Sequence, residues 1–556
     1  WCVQYDGRVS EYLYVPIKKY PKLQVPVVRR YWSPRDNRWI DEEQLPPMVK
    51  DDFFGDLIAY GKTKGVEVLP LFNSYGHNTL IPRMYPEVSS KFEDGEPTLT
   101  GFCTRNPKTY EILFNIYDEI IDRYLKPNGI ESFHIGLDEV WEGLAQNAND
   151  IYRRRNNFCK CDLCRDTPKD DLYIEHAIKL MKHLKEKGMK NVYMYHDMLI
   201  KHDVHGTGAD ATEKMMRAID ENGLREVAVI DWWTYSDYQE SLMFQTTHPE
   251  QGLRRTVKPW NGYYHWNIIS YPLKNVYLLG KMAHEEGVEG MQSYSAWDES
   301  YDRTHVAQAD YAWCFENTGL PEDVTRSYAK ARFGAQYDKA LRGLQLQDKM
   351  MRSVPKSSLP ADGTPLSTHG LLMSTLCYYF YSYVREGKPY PRSFPGEAMA
   401  VMLPMRESYE SMILAINAMA REAETCWDEV SQDARVDVRM ARRYAWEARH
   451  IKVLTEDFLA LFRLYDMYGD GKLCACKAQK MAAIAEERKL ARLALMDEFQ
   501  RTKELFLEGG HLRNHSIYMQ FFADLEAYLA NTPVEDIKLD FSDFSNFASD
   551  EFWKLR

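Results

Sequence analysis

No stretch of this chain approaches the ~18 consecutive apolar residues that a membrane-spanning helix needs, so no membrane span is expected. Basic charge is in deficit: 70 Lys and Arg stand against 82 Asp and Glu, a net charge of −12. Basic residues are scattered, clustering only at Arg153 to Arg155, which argues against nucleic acid as the main partner. No convincing fixed-period repeat recurs. A leader-like opening is missing: the chain starts at Trp1, without Met and without a charged n-region and apolar h-region. It therefore reads as a trimmed or mature form. The compartment stays open, with the periplasm or the exterior favoured if trimming has occurred.

What is present belongs to a globular protein with more than one core. The 556 residues are 45% hydrophobic and 27% charged, and that length predicts two domains. Aromatic residues reach 13%, with 37 Tyr and 13 Trp. Sugar rings stack their C–H faces on such side chains, but large cores use them too, so the bias toward carbohydrate is slight. Ten cysteines are unevenly spread. "CKCDLC" places Cys159, Cys161 and Cys164 together, and "LCAC" adds Cys474 and Cys476. Three thiols at C-x-C-x₂-C spacing are a weak metal candidate without a fourth ligand; a disulfide within the loop and free thiols are the other readings.

Up to about residue 320, helical and strand-like segments alternate, the pattern of an α/β fold with parallel strands. "KDDFFGDLIAYGKTKG" reads as a helix closed by Gly65, followed by the strand "VEVLPLF". "NPKTYEILFNIYDEIIDRYL" reads as a helix capped by Asn106 with Pro107 at its first position, followed by the strand "ESFHIGL". Further strands are expected at "NVYMYHDM", "EVAVIDWW", near "GYYHWN" and at "VEGMQSYSAW", with helices between them. Polar and aromatic residues gather where strands end, as they do at the active face of a (β/α)₈ TIM-type barrel. Residues 1–320 are therefore read as a catalytic barrel, its first strand near "CVQYD" or incomplete. Residues 321–556 read as a mostly α-helical domain: "RVDVRMARRYAWEARHIKVLTEDFLALFRLYDMY" has apolar residues near a 3.6-residue period. "SVPKSSLPADGTPLSTHG" reads as a loop within it. "DMYGDGK" has the wrong acid spacing for a calcium loop and reads as a helix-ending turn.

The stretch "FHIGLDEVWEGL" sets Asp138 beside Glu139 at the end of a strand. An ordinary "DE" dipeptide is a pair of solvent-facing loop acids. Here His134, Gly136 and Trp141 surround it, and along a strand two adjacent side chains reach one ligand only if the backbone bends.

"FHIGLDEV" resembles the H-x-G-G-D-E motif of glycoside hydrolase family 20, the β-N-acetylhexosaminidases. "VEVLPLFNSYGHNTLIPRMYPEV" is similar to that family's strand ending in "GH" and followed by "YPE", and "CTRNPKTYEILFNIYDEI" resembles the segment between the two motifs. "YMYHDML", "IDWWTYSDY" and "SYSAWDES" follow in the family's order. The resemblance covers residues 50 to 300 and leaves out the helical region. It implies hydrolysis of terminal β-linked GlcNAc or GalNAc in which the substrate's own acetamide attacks the anomeric carbon, an exception to the two-carboxylate scheme of other retaining glycosidases. By resemblance Glu139 is the general acid and base, and Asp138 orients the acetamide. His77 and His134 are expected to hold these acids by hydrogen bonds. Trp232, Trp233, Trp266 and Trp297 are candidate walls, with only one of Trp232 and Trp233 facing the pocket. Asp298 or Glu299 are candidates for sugar hydroxyls, Tyr264, Asn267 or Tyr294 for the acetamide oxygen, and His196 and Asp197 at the end of "YMYHDM" are further substrate-binding candidates. No cofactor is implied.

Three positions depart from the family pattern: His196 replaces a tryptophan, Leu137 a glycine, and Asn73 stands where an acid is frequent. They leave the catalytic pair intact and the accepted sugar open. Two other functions remain in view: an endo-acting acetamido-glycosidase and a non-catalytic glycan-binding protein on the same barrel. The helical domain would close the cleft, cover the barrel or build a homodimer.

Overall fold

The computed structural model describes residues 2–5, 15–24, 27–44, 51–76, 78, 80–140, 158–200, 211–234, 253–262, 264–265, 268–269, 273–295, 301–352, 406–469, 472–502 and 510–539. The loop expected at "SVPKSSLPADGTPLSTHG" lies outside them. Among the described residues no helix is long and apolar enough to cross a membrane.

Chain contacts divide the protein into two compact units, one of residues 1–28, 42–259 and 278–293, the other of 29–41, 260–277 and 294–556. The first is built on a parallel sheet. Its strands are β1 (Cys2–Tyr5), β2 (Leu69–Phe72), β3 (Ser132–His134), β4 (Asn191–Tyr195), β5 (Ala228–Thr234), β6 (Arg254–Gly262) and β7 (Gly290–Met291), paired in that order. All six ladders are parallel. The order never reverses, so each crossover advances the sheet by one strand in the same sense, as in a barrel wall and unlike a doubly wound sheet. Among the described residues no ladder joins β1 to β7, and the sheet does not close.

Helices alternate with the strands: α1 (Phe53–Thr63), α2 (Pro107–Ile120), α3 (Lys169–Glu186), α4 (Thr212–Glu221) and α5 (Leu273–Glu286). The side chain of Asn106 caps α2, accepting from the Lys108 N–H at 3.0 Å, with Pro107 at the first helical position. Gly65 follows α1 at φ 68°, the left-handed stop expected there. The strand expected near "GYYHWN" is displaced. β6 occupies Arg254–Gly262, and Tyr264–His265 instead pairs antiparallel with Ile268–Ile269. Arg254, Arg255, Lys258 and Pro259 break the apolar pattern by which a strand would be recognised. A core of Phe72, Ile116, Phe133, Ile178, Val192, Ile230 and Val257 joins strands to helices.

The second unit is mostly helical. Tyr337–Arg352, Arg406–Ser431, Val438–Tyr468, Ala475–Arg501 and Gly510–Asn531 each pack against the next. The expected turn after Tyr468 is present, with Gly469 at φ 55° ending the helix. A ribbon, Val27–Ser33 with Arg38–Gln44, went unread in the sequence. Its segment 29–41 belongs to this unit, where Trp32 N–H donates to Ser516 Oγ at 2.8 Å.

Candidate active site

The bend that the acid pair requires is built into the backbone beyond β3. Gly136, Leu137 and Glu139 all adopt positive φ, at 70°, 77° and 47°. For Leu and Glu this left-handed conformation costs on the order of 1 kcal/mol or more each, and such strain persists only where surrounding contacts over-determine it. Those contacts are identifiable. A Cβ on Gly136 would meet Asn73 Oδ1 at 2.7 Å, so β2 and the turn after β3 pack backbone to side chain. A Cβ on Gly76 would overlap the Asp138 carbonyl oxygen, so only glycine allows the backbone at this position to lie against the acid pair. Tyr173, on α3, donates to the Leu137 carbonyl at 3.1 Å. Burial raises the Tyr173 hydroxyl pKa well above its usual range, and the Asp197 and Asp138 carboxylates add to that.

Neighbouring strand ends complete the support. The Glu139 N–H donates to Asp197 Oδ2 at 2.9 Å, and the Trp233 indole N–H donates to Asp197 Oδ1 at 3.3 Å. One carboxylate thus holds both the backbone of the acid pair and an aromatic side chain. His196 stacks on Trp232, with ring centroids 3.8 Å apart and planes 21° apart, and its Nδ1 accepts from the Trp233 N–H at 3.4 Å. Trp232 is buried and Trp233 half-buried: Ala228 to Trp232 are all buried, and exposure begins at Trp233 and Thr234, where β5 ends. Asp138 is buried and Glu139 half-buried.

His134 serves the pair differently from the expectation. Its Nδ1 accepts from the Gly136 N–H at 3.0 Å and its Nε2 faces Asp231 Oδ2 at 3.2 Å, so the proton sits on Nε2 and no bond to either acid's carboxylate is made. The strand register explains this, because β3 directs His134 across the sheet toward β5. Asp231 also accepts from Thr256 Oγ1 at 2.8 Å and pairs with Lys258 Nζ at 3.3 Å, and Lys258 donates to the Tyr195 hydroxyl at 2.9 Å. Burial, partly countered by Asp231 and reinforced by Lys258, lowers the His134 pKa to about 4. Burial pushes Asp231 up, but Lys258, His134 and Thr256 outweigh it and bring its pKa down to about 2. Asp231, Lys258 and Tyr195 were not singled out in the sequence; charged residues inside "VIDWW" and "TVKPW" were the available signal.

Asn73 is fully buried at the end of β2, and among the described residues neither end of its amide has a hydrogen-bond partner. Tyr264 and Tyr294 fall on short strands, Tyr264–His265 and Tyr294–Ser295. His77, Trp266, Asn267, Trp297, Asp298 and Glu299 lie outside the described residues.

The matched sequence decides the family. Residues 13–313 match the catalytic domain of glycosyl hydrolase family 20. The chain belongs to this family. Among curated relatives, the beta-hexosaminidase of Akkermansia muciniphila is 28% identical over 163 residues, which cover 27% of this chain and 28% of that one. Beta-hexosaminidase subunit A2 of Dictyostelium discoideum is 28% identical over 117 residues, 21% of each chain. The match thus spans less than a third of either relative's length. Among solved structures, the chitobiase of Flavobacterium johnsoniae is similar at 15% identity and a TM-score of 0.34, covering 81% of this chain and 68% of that one.

Proposed function

We propose that this family 20 chain is an exo-acting β-N-acetylhexosaminidase that removes terminal β-linked GlcNAc or GalNAc with retention, through an oxazolinium intermediate. The observation that carries this reading is the strained turn from Gly136 to Glu139, which sets two adjacent acids at the end of a parallel strand. A pair placed side by side suits substrate assistance, where one carboxylate serves the acetamide and the other the leaving oxygen. Glu139 protonates the glycosidic oxygen as it departs and then takes a proton from the incoming water. Asp138 orients the acetamide and balances the positive charge that develops on its nitrogen. Asp197 fixes the Glu139 backbone and Trp233 in one frame. The unreversed strand order supports a (β/α)₈ barrel as the scaffold.

The test is kcat/KM on two aryl β-glycosides that differ only at C2, one bearing an acetamide and one a hydroxyl. Turnover confined to the acetamide sugar is expected; equal turnover of both would overturn substrate assistance. Glu139→Gln should abolish turnover of substrates with poor leaving groups while the protein stays folded. Asp138→Asn should lose about 10²-fold or more in kcat, and an unchanged rate would remove Asp138 from its role.

A further inference from the structure

We propose that Cys103, Cys159, Cys161 and Cys164 form a tetrahedral, all-thiolate site for one structural zinc ion. The spacing of the last three left the fourth ligand unnamed, and the fold supplies it. The sulfur atoms of all four lie within 4.8 Å of one another. Cys103 Sγ is 3.7 Å from both Cys161 Sγ and Cys164 Sγ. Four Zn–S bonds of about 2.3 Å in a tetrahedron set the sulfurs about 3.8 Å apart. A disulfide requires about 2.05 Å, and all four cysteines are free thiols. The cluster is also too tight for a multi-iron centre, which needs room between the thiolates for its own iron and sulfide atoms. Soft ligands in a closed tetrahedral set select zinc among the common divalent ions.

The surrounding backbone is arranged as a clasp. The hairpin Ser89–Lys91 with Pro97–Phe102 delivers Cys103, whose N–H donates to the Val88 carbonyl at 2.9 Å. The same hairpin receives the second segment, where Lys160 N–H donates to the Lys91 carbonyl at 2.8 Å. A tight turn then brings Cys164 back beside Cys161, with Cys164 and Arg165 N–H both donating to the Cys161 carbonyl at 2.9 Å. Arg105 reaches across to the Leu163 carbonyl at 3.2 Å and Thr167 Oγ1 at 2.7 Å. Cys103, Cys159 and Cys164 are buried and Cys161 is half-buried, the closed coordination of a structural site with no open position for a substrate.

The clasp adjoins the shelf under the acid pair. Tyr75 is fully buried and packs edge-on against Phe158, the residue before Cys159, with ring centroids 5.8 Å apart. The next residue, Gly76, lies against the Asp138 carbonyl. Zinc at the four sulfurs therefore braces the loop on which the acid pair rests.

The experiment is metal analysis of the full chain purified without chelator. One zinc per chain is expected, released into solution when an organomercurial titrates the cysteines. Cys103→Ser should lower the zinc content at least about tenfold and drop the first thermal transition by about 5 °C or more, while Cys474→Ser with Cys476→Ser retains the full zinc. Should Cys103→Ser fail to fold, the wild-type chain produced with cobalt should carry the intense visible bands of a tetrahedral tetrathiolate. Iron in place of zinc, a disulfide among the four cysteines, or a zinc-supplemented chain with neither bound zinc nor cobalt bands would overturn the proposal.

Discussion

Gly76 illustrates how one atom governs the site. Its missing side chain leaves room for the Asp138 carbonyl, and any Cβ there would overlap that oxygen. Gly76→Ala should therefore push the acid pair away from the substrate while leaving both carboxylates in the protein. Misplacement of about 1 Å costs on the order of 10²-fold in rate, so kcat should fall by about that factor with the native circular dichroism preserved. A Gly76→Ala protein with the parent's kcat would show that the loop yields instead. Leu137 makes the complementary case. It occupies a left-handed position at φ 77° yet is fully buried, so Leu137→Gly relieves about 1 kcal/mol of strain and forfeits about 2–3 kcal/mol of burial. Urea unfolding should show a net loss on the order of 1–2 kcal/mol.

Across the strands, His134 links the pH of the solution to the acid-bearing turn. Its pKa of about 4 lies below the ordinary 6.5, so between those values the unfolded chain binds more protons than the folded one. The stabilisation is complete above about pH 6.5 and is lost as the pH falls toward 4. His176, buried between the Tyr110 hydroxyl and the Ser74 carbonyl, is lowered to about 4 by burial and follows the same direction. Urea unfolding should show a decline on the order of 2 kcal/mol for each histidine between pH 7 and pH 5. A stability curve flat over that window would exclude this coupling. Protonating His134 Nδ1 also expels the Gly136 N–H, so the turn loosens as stability falls. These links explain what the sequence disclosed and what it hid. Asn106, Pro107 and Gly65 act within their own helices, and their roles were readable as local chemistry. Asp138, Glu139 and Asp197 were readable because acids at strand ends stand out against apolar runs. The bond from His134 to Asp231 depends on the register of β3, β4 and β5, which no single segment carries. Lys258 concealed β6 for the same reason: its partner is on another strand. Cys103 has no neighbouring cysteine to announce it.

At the scale of the whole molecule, the two units interleave along the sequence. The chain leaves the first unit for residues 29–41 and 260–277 before entering the helical region for good at 294. Ser33 Oγ accepts from Gln500 Nε2 at 3.0 Å, and Trp32 and Trp39 pack with Trp446, Phe499 and Met519. A chain ending at residue 320 keeps both tryptophans and loses that core. It should self-associate on size-exclusion chromatography and lack a native near-ultraviolet spectrum; a monodisperse, active 1–320 fragment would contradict this.

The Asp197 carboxylate, shared between the Glu139 backbone and the Trp233 indole, has an optical consequence. An indole whose N–H is bonded to a carboxylate emits according to the charge and position of that partner. Whatever moves Glu139 or neutralises Asp197 must alter the surroundings of Trp233. Emission from Trp233, taken as the difference between the parent and a Trp233→Phe variant, should therefore shift when a sugar reaches those acids, and that shift would report arrival without a chromogenic substrate.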